Sequence, residues 1–93
     1  MTVATANVPT ASAAKYLQQL CKHWAHKLDV EFTAEEGTVR FPDGVATLKA
    51  GPEALTVSIE AQDPATVERL EQVVASHLDR FAFREAPLAF SWA

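Results

Sequence analysis

A chain of 93 residues, 48% hydrophobic and 22% charged, has the size and balance of one globular domain spanning 1–93 and excludes a disordered polymer. Its net charge of −4 argues against sequence-independent nucleic-acid binding, which needs a basic surface to displace counterions. A single cysteine excludes an internal disulfide, Met1–Ala6 lacks the basic and apolar regions of a signal peptide, and no apolar run reaches membrane-span length. A cytoplasmic location is therefore expected, with neither nucleic acid nor membrane as partner.

In chain order, residues 2–9 alternate, with Ala4, Ala6 and Val8 on one face and Val3, Thr5 and Asn7 on the other, which predicts a strand closed by Pro9. Thr10 or Ser12 can cap the helix predicted to run on to about Lys27. Four short period-two segments follow: Val30 and Phe32; Val39 and Phe41; Ala46, Leu48 and Ala50; Leu55, Val57 and Ile59. Glu36-Gly37, Pro42-Asp43-Gly44 and Gly51-Pro52 separate them at hairpin spacing. Asp63-Pro64 supplies an N-cap and a proline at the first helical position, starting a second helix that runs to about Phe83. The alternating run Leu88-Ala89-Phe90-Ser91-Trp92 predicts a last strand. The order β-α-β-β-β-β-α-β implies an α+β two-layer sandwich, a mostly antiparallel sheet with two helices on its apolar face.

Chemistry gathers in two stretches, 20–27 and 77–84, which hold all three histidines, the cysteine and half the basic residues. On the first helix, Ala13, Ala14, Leu17, Leu20, Cys21, Trp24 and Leu28 form the predicted buried stripe. His23 and His26 fall opposite it, beside Tyr16, Gln19 and Lys22. An i, i+3 histidine pair can chelate a transition metal or ligate haem, although two ligands do not make a tight site and nothing local supplies a third. Cys21, about 140° from His26 around the helix, is expected in the core and not as a nucleophile.

On the second helix, Val67, Leu70, Val73, Val74, Leu78 and Phe81 form the stripe, and His77 falls inside it. A buried imidazole must satisfy its ring nitrogens, since an unpaired one costs about 1–3 kcal/mol. Either a structural partner or a ligand in a cavity between helices and sheet would do so. The remaining residues offer no phosphate-cradling Gly-rich loop and no nucleophile-elbow serine. Glu35-Glu36 and Glu68-Glu71 are expected in a loop and on a wet helix face. The polar sheet face carries Lys49 and Arg40 against Glu31 and Glu60, a balance that suits homodimer contact better than nucleic acid.

Three segments together resemble a bacterial family, domain of unknown function 2218. They are Tyr16-Leu17-x-x-Leu20-Cys21-Lys22-His23-Trp24-Ala25-His26-Lys27, Val39-x-Phe41-x-x-Gly44, and His77-Leu78-x-Arg80-Phe81-Ala82-Phe83-Arg84-Glu85. The resemblance covers nearly the whole chain. It implies a small bacterial α+β protein with no assigned activity and no catalytic residues to carry over. Some relatives are linked to flavin-dependent siderophore-interacting reductases, which implies an accessory role in iron handling.

Taken together, these readings point to a non-enzymatic binding or accessory module that meets a protein partner or small ligand through His77, His23, His26, Tyr16 and Arg80, without a cofactor. The alternatives are a metal- or haem-binding protein that uses His23 and His26, and a structural homodimer through the polar sheet face.

Overall fold

The computed structural model describes residues 1–82, 84, 85, 88, 90 and 92. Strand β1 (Thr2–Pro9) leads into helix α1 (Ala13–Trp24), four strands follow as β2 (Asp29–Phe32), β3 (Glu36–Phe41), β4 (Gly44–Ala50) and β5 (Ala54–Ala61), and helix α2 (Pro64–Phe81) closes the series. The two-layer α+β sandwich expected from the sequence is the one that forms.

All strand pairs are antiparallel, in the order β1-β5-β4-β3-β2. The β2-β3-β4-β5 meander follows from the hairpin spacing. The long-range step is β1, which pairs with β5 so that α1 must cross from one sheet edge to the other. Registry places Ala4, Ile59, Ala46, Val39 and Val30 in one row across all five strands. Ala6, Val57, Leu48 and Gly37 form the next row. Except for half-buried Val30, these side chains lie under the helices, where Leu17, Leu20, Cys21, Leu70, Val74 and Leu78 are wholly buried against them. The opposite face is wet. There Thr5, Ser58, Thr47 and Thr38 align across four strands, and Thr5 Oγ1 and Ser58 Oγ lie 3.1 Å apart.

Two glycines are required by close approach. A Cβ on Gly37 would sit 2.7 Å from Cys21 Sγ, and one on Gly44 would sit 2.5 Å from Leu70 Cδ1 and 2.9 Å from the Glu60 carbonyl oxygen. Each lies where a helix presses on the sheet.

The structure corrects several local expectations. Glu36-Gly37 is not a turn but the start of β3. The turn is Thr33–Glu35, where Thr33 Oγ1 accepts from the Glu35 and Glu36 amides at 3.3 and 3.1 Å, a hydroxyl-built turn with no glycine to announce it. Helix α1 stops at Trp24, and residues 25–27 form turns in which Lys27 N and Leu28 N both donate to Trp24 O. Helix α2 ends at Phe81, short of Phe83, which lies outside the described residues. Of the strand expected at 88–92, Ala89 and Ser91 also lie outside them, and Leu88, Phe90 and Trp92 are assigned to no element. Among the described residues no helix is long and apolar enough to cross a membrane.

Candidate functional site

The site lies where the C-terminal parts of the two helices meet. In α1, burial of Leu17, Leu20, Cys21 and Trp24 fixes the rotation of the helix and leaves His23 exposed beside α2. In α2, burial of Val67, Leu70, Val74 and Leu78 leaves His77, Arg80 and Phe81 along the border with α1. The four side chains His23, His77, Arg80 and Phe81 line a cavity of about 270 Å³.

His77 is half-buried, not sealed in the core as its place in the apolar stripe suggests. The stripe is narrower than the sequence pattern implies, since Val73 and Phe81 are also only partly covered. His77 Nδ1 lies 2.7 Å from the Val73 carbonyl oxygen one turn back. A carbonyl can only accept, so Nδ1 carries the proton and a neutral ring presents its Nε2 lone pair elsewhere. The ring packs against Trp24 at 5.1 Å and His23 at 5.6 Å between centroids. His23 also meets the edge of Phe81 at 5.8 Å, and Trp24 is held from behind by Phe41 at 5.1 Å. An aromatic wall thus braces both imidazoles.

A second cavity, of about 220 Å³, is lined by Lys15, Tyr16, Phe81 and Arg84, so Phe81 stands between the two. Tyr16 is a correction: at 6% exposure it belongs to the core, not to the polar face. Its hydroxyl reaches the Glu85 carboxylate, which also accepts from Thr10 Oγ1 at 3.1 Å. The hydrogen bond to Glu85 raises the Tyr16 pKa, and burial and the Glu85 charge add to it. With its polar end satisfied in this way, the tyrosine can bury its ring. Gln19, one helical turn beyond Tyr16, keeps a buried Oε1 with no partner among the described residues.

Of the residues the sequence singles out, His23, His77 and Arg80 come together, Tyr16 lines the neighbouring cavity, and His26 is exposed on the turn after α1, outside both linings. Sequence periodicity assigned Phe81 wholly to the core and gave no role to Glu85; their proximity to Tyr16 and His23 arises only when α2 packs against α1. Burial pushes the Cys21 thiol up to about 11, consistent with an inert core residue. Among the described residues no three His, Cys, Asp or Glu side chains are grouped to hold a metal ion. Two imidazoles, a guanidinium and an aromatic edge thus line one open cavity, which combines polar ring nitrogens, a positive charge and an apolar edge.

Among curated proteins no sequence matches the chain. The NMR structure of PA4090 from Pseudomonas aeruginosa is similar over 100% of this chain and 96% of that one, with a TM-score of 0.86 at 38% identity. The sequence profile of an uncharacterized protein family conserved in bacteria, DUF2218, matches residues 5–93. The chain belongs to that family.

Proposed function

We propose that the protein is a cytoplasmic, non-enzymatic binding or accessory module that takes a small carboxylate-bearing ligand between its helices. The observation that carries this reading is the convergence of Arg80 with His23 and His77 on one cavity beside Phe81. Arg80 is the fixed cation, suited to bidentate carboxylate recognition. His23 is a second donor, His77 lines the same cavity, and Phe81 covers apolar parts of the ligand. The resemblance to relatives linked with siderophore-interacting reductases supports iron handling as the context, because carboxylates are common hard-oxygen ligands of iron.

Calorimetric titration with citrate and with ferric citrate tests the reading. Arg80→Ala should weaken binding at least tenfold, about 1.4 kcal/mol. Binding that survives Arg80→Ala, or a His77→Leu variant that is more stable and binds unchanged, would remove the site from consideration. The rival reading, a metal held by His23 and His26, predicts instead stoichiometric Zn²⁺ or haem uptake that His26→Ala abolishes.

A further inference from the structure

Charge is divided unevenly along this chain. Residues 1–28 contain Lys15, Lys22 and Lys27 and no acidic residue, so all 12 acidic residues and the other 5 cations lie in 29–93. The first segment therefore carries +3 and the remainder 5 − 12 = −7, which together give the net −4. Ion pairing separates the three lysines of the first segment, together with Arg80 of the second, from the paired cations of the sheet and of α2. Arg40 pairs with Asp29 and Glu31, Lys49 with Glu36, and Arg69 with Asp43, whereas Lys15, Lys22, Lys27 and Arg80 make no ion pair among the described residues. All four are exposed.

Helix stability does not account for this arrangement. Lys22 sits in the last turn of α1, where a cation favours the macrodipole, but Lys15 sits in the first turn, where a cation opposes it. That turn holds no acidic residue, and its N-cap Ser12 makes no side-chain capping bond. A position at which an acid would stabilise the helix is occupied by the opposite charge. Such local conflicts concentrate where function sets the residue.

We propose that the outer face of α1, with Arg80 beside it, is a docking surface for an acidic segment of a partner protein. Lys15 and Lys22 lie within about 20° of one another around the helix and roughly 10 Å apart along it. His26 and Lys27 extend the row onto the following turn, and Arg80 borders the same cavity as His23. In this row Lys15 and Lys22 set a helical span of roughly 10 Å, to which the exposed turn after α1 adds His26 and Lys27, a match for a short acidic segment. A nucleic acid would run past it onto a sheet side that is net acidic and meet repulsion there. A bilayer is also a poor partner, because the apolar face of α1 is already buried against the sheet and cannot insert.

The test is fluorescence anisotropy of the protein with a labelled oligoglutamate peptide of about twelve residues, long enough to reach from Lys15 to the turn after α1. Despite the protein's net negative charge, the peptide should bind at low salt and weaken as salt rises. A Lys15→Glu/Lys22→Glu variant should lose at least about tenfold in affinity, whereas Lys49→Glu on the sheet should change it by less than about twofold. Lys15→Glu favours the helix dipole, so that variant should remain folded, which circular dichroism verifies. No binding at low salt, equal losses in the two variants, or tighter binding of a single-stranded oligonucleotide of equal charge would each overturn the proposal. These lysines lie outside the Arg80 cavity, so citrate binding by the same variants reads the ligand site separately.

Discussion

The two helices bury similar apolar stripes on the same sheet, yet they are begun by different means. For α2 everything needed is local: Asp63 sits in extended geometry, its Oδ1 accepts from Thr66 N at 2.8 Å, and Pro64 opens the first turn. Helix α1 has no side-chain cap bond, and neither helix has an acid in its first turn. Its entry is fixed from a distance instead. Thr10 N donates to Glu53 O at 2.9 Å, Ser12 N donates to Thr10 Oγ1 at 3.1 Å, and Glu85 binds both Thr10 and Tyr16 from 75 and 69 positions away. One helix is specified by its own sequence and the other by the fold. Both helices border the two cavities, since Phe81 of α2 lines each of them together with α1 residues, while α1 carries Lys15 and Lys22, which make no ion pair among the described residues.

If both helices depend equally on the core, the largest effects should be the same on each. Leu17→Ala and Leu70→Ala remove fully buried side chains, and each should cost about 2–5 kcal/mol by urea denaturation. A cost for Leu17→Ala well under that for Leu70→Ala would mean that α1 is the more loosely seated layer. Gly37→Ala should cost about 1–3 kcal/mol by forcing a Cβ against Cys21 Sγ, and Cys21→Ala should recover much of the loss. The same thiol gives an alkaline signature. Its folded pKa of about 11 stands above the ordinary 9.0, so the unfolded thiol ionises first. Stability should be intact below pH 9 and fall as the pH rises toward 11, a decline that Cys21→Ala removes.

The remote clamp on α1 should rank next. Tyr16→Phe and Glu85→Gln each break a charge-assisted hydrogen bond and should cost about 1–2 kcal/mol, with a double-mutant cycle showing that the two losses overlap. Tyr16 is the chain's one tyrosine, so ultraviolet titration reads it alone. Its ionisation should lie above 10.0 and move back toward that value in Glu85→Gln. No movement would detach Glu85 from Tyr16 in solution.

The comparison also marks what the sequence could disclose. The alternation of β1 and β3–β5, the Asp63-Pro64 start and the burial of Cys21 were legible because each rests on near neighbours. The β2–β3 turn was misplaced because Gly37 looks like turn chemistry, whereas its real reason is the cysteine of α1 packed on it. Tyr16 was placed on the wet face because its partner lies 69 residues away. For the candidate site, helical angle separated His23 from His77, and only the packing of α1 on α2 brings them together at 5.6 Å while leaving His26 apart. Period and propensity order residues within an element; they do not report which turns of two elements face each other.

The smallest effects give the most direct contrast between the helix starts. Asp63→Ala should lower Tm measurably, because the Thr66 amide loses its acceptor. The hydrogen bond from Thr66 holds the Asp63 carboxyl below its ordinary 3.8, so its contribution is present above the unfolded-state value and fades as acid protonates it. The difference in Tm between the natural protein and Asp63→Ala should therefore be constant near neutral pH and shrink below about pH 4. Ser12→Ala should lower Tm less than Asp63→Ala near neutral pH, because that hydroxyl makes no capping bond and reaches only toward the Tyr16 hydroxyl. Lys15→Glu should raise stability by a few tenths of a kcal/mol as the charge at the first turn changes from unfavourable to favourable. A loss on Ser12→Ala as large as that on Asp63→Ala, and still present in a Tyr16→Phe background, would show a cap bond forming in solution and reduce the asymmetry between the helices. A loss on Lys15→Glu would give that lysine a structural partner, and with it a reason to stand at the wrong end of its helix that owes nothing to binding.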